Sequence, residues 1–178
     1  MRYDQLEHAI RAACEVSEDT ELLIFGSQAI LGTAPDAPAD LRTSIEVDVQ
    51  ALNHPDNTIR IDGSLGEHSV FHATHGFYVH GVSIAAATLP EGWEHRTVAV
   101  SDPVGTRGNT GYCLEAHDLA ASKLVANREK DRVFVTILLK EGLVDADVLE
   151  ERASTLPVSA ERRGAIMRWI RITMEDIG

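Results

Sequence analysis

The chain has 178 residues, the length of one ordinary domain or of one domain with a small appendage. Hydrophobic residues make up 44% and charged residues 25%, values that exclude a disordered, collagen-like or coiled-coil protein. The formal net charge of -12 argues against a broad basic face for duplex DNA, so any polyanion should meet a local basic patch.

The cysteine pattern and the hydropathy indicate the compartment. Cys14 and Cys113 stand alone, without a CxxC partner, and we find no signal peptide, so we expect a cytoplasmic protein with reduced thiols. No apolar run approaches the roughly 20 residues that a bilayer span needs. No membrane association is therefore expected.

The first third of the chain predicts a helix, a strand and a glycine turn. Residues 3–16 carry apolar side chains at the spacing of an amphipathic helix. Residues 21–25, ELLIF, read as a short buried strand that leads into a turn at Gly26. The following segment, GSQAILG, resembles the start of a helix with Ser27 near its N-terminus, and residues 34–40 form a proline-containing loop.

The segment SIEVDVQAL predicts a strand with an acidic face. Apolar residues from Ile45 to Val49 alternate with Glu46, Asp48 and Gln50, which is the period of a β-strand. Both carboxylates should therefore lie on the same face of that strand.

The rest of the chain predicts short strands and then only helices. Segments 77–84 and 96–101 read as strands, residues 68–75 as a short helix and residues 102–111 as a loop. Everything beyond Leu114 has helical periodicity. The four helical segments are residues 115–126, 130–142, 145–154 and 159–172.

Glu46 and Asp48 are the strongest candidates for chemistry. Side chains at i and i+2 of a strand lie roughly 7 Å apart, close enough to hold one or two divalent cations through carboxylate oxygens. Gly26 permits close backbone approach, and Ser27 at a helix start offers donors to an anion. The alternative is an ordinary solvated strand face beside an ordinary turn.

A basic cluster lies further along the chain, in the segment KLVANREKD. An uninterrupted helix would present Lys123, Asn127 and Lys130 on one face, where cations could neutralise the charge of a triphosphate. One alternative is a solvated helix face with Glu129 and Asp131 as ion-pair partners. Another is that Asp131 simply orients Lys123 or Arg128.

Four histidines, His68, His72, His75 and His80, fall within a short segment. His68 and His72 have the i, i+4 spacing that could chelate zinc with a third ligand from elsewhere. Because the sequence has neither HExxH nor a cysteine pair, a structural or pocket-lining role is favoured.

The order of these motifs resembles the nucleotidyltransferase superfold of polymerase-beta-like enzymes. Their Gly-Ser turn corresponds to Gly26 and Ser27, and their strand of alternating acidic residues to Glu46, Val47 and Asp48. Residues 123–131 are similar to the helical Lys-and-Arg motif of minimal nucleotidyltransferases, which are related to abortive-infection toxins of bacterial toxin-antitoxin systems. Other segments of the chain resemble uncharacterised proteins of that group. The matching residues are Lys123, Arg128, Lys130 and Asp131.

The resemblance, which covers about residues 20–140, implies an α+β fold: a nucleotidyltransferase-like mixed sheet flanked by helices, with a helical C-terminal subdomain. The resemblance implies that residues 1–113 form the core and residues 114–178 the helical subdomain. Together they would form one compact unit, with the site in the cleft between them. Members of the superfold place a third carboxylate on a later strand. The candidates here are Asp62, Glu67 and Asp102.

The resemblance also implies an activity, the transfer of a nucleotidyl group from a nucleoside triphosphate such as ATP to RNA, tRNA included, or to a protein. Glu46 and Asp48 would hold Mg²⁺ or Mn²⁺, and an antitoxin would be the partner. The alternative is a noncatalytic module that binds a nucleotide or a protein. The implied catalytic residues are Glu46, Asp48, Lys123 and Asp131, and the implied phosphate-binding residues are Gly26, Ser27, Arg128 and Lys130.

Overall fold

The computed structural model describes residues 1–178 and confirms the α+β class with a mixed sheet flanked by helices and helices at the C-terminal end. The chain divides into two compact units. The first contains residues 1–86 and 97–114, and the second contains residues 87–96 and 115–178.

The first unit is built on a five-stranded mixed sheet with the order β3-β2-β1-β5-β4. Strand β1 pairs antiparallel with β2 and parallel with β5, β2 pairs parallel with β3, and β4 pairs antiparallel with β5. Helices α1 and α3 pack against each other and the sheet, and α2 packs against β4 and β5. The elements are α1 (Tyr3–Ser17), β1 (Glu21–Phe25), α2 (Ile30–Thr33), β2 (Glu46–Ala51), α3 (Thr58–Leu65), α4 (Val70–His75), β3 (Tyr78–Gly81), β4 (Val98–Val100) and β5 (Thr110–Cys113).

The two best-patterned strands form as the sequence predicts. Strand β1 lies at the centre of the sheet, and its last four residues are buried, as a short continuous apolar run requires. In β2, Val47 and Val49 are fully buried, while Glu46, Asp48 and Gln50 are partly exposed. The two carboxylates therefore share the more exposed face of β2.

Two elements differ from the sequence predictions. Residues 102–111 were expected to be a loop throughout, but β5 begins at Thr110 and pairs with β1. A Cβ on Gly111 would lie 2.5 Å from a methyl group of Ile24 and 2.7 Å from one of Ile10, so this glycine allows close packing. Helix α3 was not predicted, because it is short and contains Gly63.

The second unit consists of helices α5 (Ala116–Ala126), α6 (Glu129–Lys140), α7 (Ala146–Ser154) and α8 (Ala160–Ile177). The helical pattern predicted beyond Leu114 is thus confirmed, and the core includes Leu119, Leu138, Leu149 and Ile170. None of the helices in the structure combines the length and apolar character that a membrane span demands.

The helix through the basic segment is interrupted, which corrects the idea of one continuous basic face. Helix α5 ends at Ala126, and Asn127 adopts the left-handed conformation with φ of 54°. Its amide donates to the carbonyl oxygen of Lys123, so Asn127 caps α5 as left-handed asparagines commonly do. A new helix begins at Glu129, so Lys123 and Lys130 lie on different helices.

A buried carboxylate ties residues 87–96 to the helices of the second unit. Asp118 on α5 is fully buried and accepts hydrogen bonds from Arg96 Nε at 2.8 Å and from its terminal guanidinium nitrogen at 2.9 Å. Arg152 on α7 approaches the same carboxylate at 3.6 Å. Two arginines compensate one buried charge, so this cluster is a structural element of the second unit.

Candidate functional site

The turn after β1 brings the backbone against the acidic strand. Gly26 has φ of 72° and ψ of -172°, a conformation that is essentially restricted to glycine. Phe25 is paired with Asp48 across the β1-β2 ladder, and a Cβ on Gly26 would lie only 2.0 Å from Asp48 Oδ2. Both the conformation and the available space therefore require glycine beside the Asp48 carboxylate.

The residues after Gly26 form a tighter and shorter helical segment than the sequence suggests. Residues Ser27–Ala29 form a 3-10 turn, and α2 continues it for only four residues. The Ala29 amide donates to the carbonyl oxygen of Gly26 at 3.3 Å. Ser27 is half-buried, as expected for a side chain at the start of such a turn.

The carboxylates of Glu46 and Asp48 meet a histidine from the neighbouring strand. Parallel pairing of β2 and β3 places His80 opposite Asp48. The ring nitrogen Nδ1 of His80 lies 3.0 Å from Asp48 Oδ1 and 3.2 Å from Glu46 Oε1. One ligand atom from each of the three side chains lies within 4.8 Å of the others. We call Glu46, Asp48 and His80 the acid-histidine cluster.

The acid-histidine cluster is accessible to ions from solution. The side chains of His80, Glu46 and Asp48 are 40%, 36% and 24% exposed, respectively. Two carboxylate oxygens and one imidazole nitrogen that converge in this way are suitable ligands for a divalent cation. The donor set therefore fits the divalent cation expected at Glu46 and Asp48.

The place of His80 in the site is not predictable from local sequence, where His80 groups with the other histidines. The pairing of β2 with β3 joins residues 32 positions apart. His68 and His72 do not belong to the acid-histidine cluster. Instead, the backbone amide of His68 donates to Nδ1 of His72 at 3.1 Å, next to the N-terminus of α4.

None of the three candidates for the third carboxylate lies on a strand. Asp62 lies on α3, Glu67 follows that helix, and Asp102 lies in the loop after β4. Asp102 accepts hydrogen bonds from the amides of Gly105 and Val104, and these bonds lower the pKa of its carboxyl group. Asp102 thus closes a turn, and the later strand that borders Glu46 and Asp48 carries His80.

Within the second unit, Lys123 and Arg128 converge on Asp131. Lys123 Nζ donates to Asp131 Oδ1 at 3.3 Å and lies 4.5 Å from the centre of the Phe134 ring. Arg128 Nε donates to Asp131 Oδ2 at 2.6 Å, and the Arg128 amide donates to the same oxygen. Asp131 therefore contacts both cations and caps the start of α6. Lys130 is exposed.

The ionisation of this group follows from its burial and its charges. Asp131 is 1% exposed and Lys123 is 8% exposed. Burial lowers the pKa of Lys123, and attraction to Asp131 only partly opposes this. Burial raises the pKa of Asp131, but the hydrogen bond from Arg128 and the charge of Lys123 outweigh it, so the net pKa lies below its ordinary value. Asp131 is a carboxylate over the whole neutral range.

The sheet and the turn beside Asp48 resemble those of a known class of proteins. A mixed sheet whose central strand ends in a Gly-Ser turn, against the Asp48 carboxylate of the neighbouring strand, is consistent with a nucleotidyltransferase-like fold. Residues 2–175 match the family described as "Nucleotidyltransferase of unknown function (DUF6036)", and the chain belongs to that family. No curated protein and no solved structure matches the chain.

Proposed function

We propose that the protein is a metal-dependent nucleotidyltransferase that moves a nucleotidyl group from a nucleoside triphosphate to an acceptor hydroxyl. The observation that supports the proposal most strongly is the contact between the Gly26 backbone and the Asp48 carboxylate, with Glu46 beside it. This arrangement brings a candidate phosphate-binding turn and a candidate cation site next to each other. Membership of the nucleotidyltransferase family points to the same reaction class.

Each residue has a role in this proposal. Glu46 and Asp48 hold Mg²⁺ or Mn²⁺, which when bound supplies Lewis-acid polarisation of the α-phosphate and activation of the acceptor oxygen. Gly26 leaves room for the outer phosphates, and the Ser27 hydroxyl donates a hydrogen bond to them.

The basic residues of the second unit have a role as well. In the proposal, Lys123, Arg128 and Lys130 neutralise the charge that develops on the leaving phosphates. Asp131 contacts Lys123 and Arg128, and its function is to hold both side chains in one orientation. Asp131 is thus assigned here as a positioning residue.

The acceptor and the biological setting are proposed from the resemblance to toxin-type enzymes. The acceptor is an RNA, such as tRNA, or a protein. The 178-residue chain itself acts as the toxin of a toxin-antitoxin pair, and its partner is an antitoxin protein. A hydroxyl acceptor suits both substrates, since an RNA end and the side chains of Ser, Thr and Tyr each present one.

A labelling experiment tests the transferase. The protein is incubated with Mg²⁺ or Mn²⁺, each α-labelled nucleoside triphosphate, total RNA and a cell extract, and the products are separated into RNA and protein. We expect transfer of label by the native protein and none by Asp48→Ala. The matched control is Asp56→Ala, which removes an exposed carboxylate outside the acid-histidine cluster and should leave labelling unchanged. Labelling that survives Asp48→Ala would contradict the assignment.

A second candidate is a noncatalytic module that binds a nucleotide or a protein partner. The observation that favours it is that the strand bordering Glu46 and Asp48 carries His80 and not a third carboxylate. The same experiment separates the two functions. Labelled triphosphate that is retained on the protein but never transferred supports the binding module, and a failure to bind any triphosphate contradicts the transferase and the nucleotide-binding module.

A further inference from the structure

We propose that His80 is a metal ligand and that the acid-histidine cluster therefore binds Mn²⁺ in preference to Mg²⁺. The inference rests on the proposed function, because it concerns the cation assigned to Glu46 and Asp48. It adds a ligand that the resemblance does not provide and a selectivity that follows from the chemistry of that ligand.

The two distances from His80 within the acid-histidine cluster match those between neighbouring ligands of one ion. Two ligand atoms that each lie about 2.1 Å from a cation, 90° apart, are separated by about 3 Å. The separations from His80 Nδ1 are 3.0 Å to Asp48 Oδ1 and 3.2 Å to Glu46 Oε1. All three ligand atoms lie within 4.8 Å of one another.

The sheet fixes the three ligands relative to one another. Glu46 and Asp48 are alternate residues of β2, and His80 lies on the adjacent strand in direct register with Asp48. On the other side, the backbone of Gly26 restricts the position of the Asp48 carboxylate. Ligands on neighbouring strands are held more precisely than ligands on loops. Little conformational entropy of the side chains is therefore lost when an ion binds.

An imidazole ligand changes which ion is preferred. Mg²⁺ favours oxygen ligands and gives up its water reluctantly, whereas imidazole nitrogen favours first-row transition ions. Mn²⁺ accepts both carboxylate oxygen and imidazole nitrogen. With His80 at the position next to Asp48, the site should hold Mn²⁺ more tightly than Mg²⁺. The variant His80→Asp should shift the preference towards Mg²⁺.

A competing interpretation assigns His80 the opposite role. In a site that never binds metal, the ring of His80 would hydrogen-bond the two carboxylates and relieve their mutual repulsion. The two interpretations predict opposite effects of removing the ring. A ligand is lost if His80 binds the ion, whereas two carboxylates become available to an ion if His80 competes with it.

The test measures Mn²⁺ binding to the full chain by electron paramagnetic resonance, without nucleotide or acceptor, and Mg²⁺ binding by competition. We expect tighter binding of Mn²⁺ than of Mg²⁺ by a factor on the order of ten or more, with nitrogen coupling to bound Mn²⁺ in the electron spin-echo modulation. His80→Ala should remove the nitrogen coupling and weaken Mn²⁺ binding, and His80→Asp should remove the coupling and bring the two affinities closer.

Two further variants locate the site. Asp48→Asn should abolish Mn²⁺ binding, and His68→Ala, which removes an exposed histidine outside the acid-histidine cluster, should leave affinity and nitrogen coupling unchanged. Circular dichroism and thermal unfolding confirm that each variant folds. Nitrogen coupling that persists in His80→Ala, Mn²⁺ binding without nitrogen coupling, or tighter binding after His80→Ala would each overturn the proposal.

The outcome is independent of the transferase assay. A native protein that binds Mn²⁺ through nitrogen but transfers no label supports the role of His80 and contradicts the transferase. Conversely, a protein that transfers label but binds its cation through oxygen alone supports the transferase and overturns the role of His80.

Discussion

Replacement of Gly26 by alanine should disrupt the site through Asp48. The new Cβ would lie 2.0 Å from Asp48 Oδ2 and 3.0 Å from Cγ. Because ordinary van der Waals contact begins near 3.4 Å, the carboxylate or the turn must move by more than about 1 Å. A displacement of that size at a reacting centre costs on the order of 100-fold in rate. Alanine in a glycine-only backbone region adds roughly 1 to 3 kcal/mol of strain.

Two measurements on Gly26→Ala test this reasoning. Urea unfolding should show a loss of stability of about 1 to 3 kcal/mol, and isothermal titration should show that binding of Mn²⁺ or Mg²⁺ is greatly weakened. The matched control is Gly76→Ala, because Gly76 also has a positive φ, 73°, but a Cβ there has no neighbour within 4 Å. That variant should be strained and yet bind cations normally. Native cation affinity in Gly26→Ala would refute the link between the turn and Asp48.

Three other predictions concern buried groups. Burial raises the pKa of Cys14 and Cys113 to about 12, so neither thiol should react with a disulfide reagent in the native state, and their contribution to stability should fall as the pH rises from 9 towards 12. Asp118→Asn should lower the free energy of unfolding in urea by roughly 3 kcal/mol. This is the lower end for a broken buried pair, because water reaches the arginines beside Asp118. Glu150→Gln breaks an exposed pair with Arg171 and should lower the free energy of unfolding by less than about 1 kcal/mol. Because the pKa of Asp131 is lowered, its ionised form stabilises the fold at pH values above the ordinary pKa of 3.8, and this contribution is lost as the pH falls through the lower folded-state pKa. The difference in unfolding free energy between the native protein and Asp131→Asn should therefore shrink in acid. A difference that stays constant with pH would contradict the ion pair.

The parts of the fold that the sequence predicts are those with local signals. The run ELLIF identifies β1, because a central strand buried on both faces needs continuous apolar residues. Alternation identifies β2 and places Glu46 and Asp48 on one face. The glycine turn between them is also recognisable, since few residues other than glycine allow the chain to leave a strand in this direction.

The parts that the sequence does not predict depend on non-local pairing or on a single backbone angle. Strand β5 has four residues and includes Gly111, which local propensity assigns to a loop, but pairing with β1 stabilises it. The break at Asn127 depends on one left-handed residue within an otherwise helical segment. His80 becomes part of the site only through the register of β2 with β3. The spacing of residues along the chain does not predict that register.

The close approach of Gly26 to Asp48 and the crowding of Glu46 and Asp48 favour a site over an ordinary turn. Glu46 and Asp48 bring two carboxylates to one small region, where like charges repel each other. The Gly26 turn places the backbone so close to Asp48 that any side chain would collide with it. In the proposed function, both features become favourable, because a cation shares the carboxylate oxygens and a phosphate approaches the turn. Asp131 in the second unit differs from this region, because each of its carboxylate oxygens already accepts a hydrogen bond from a cation of the chain itself.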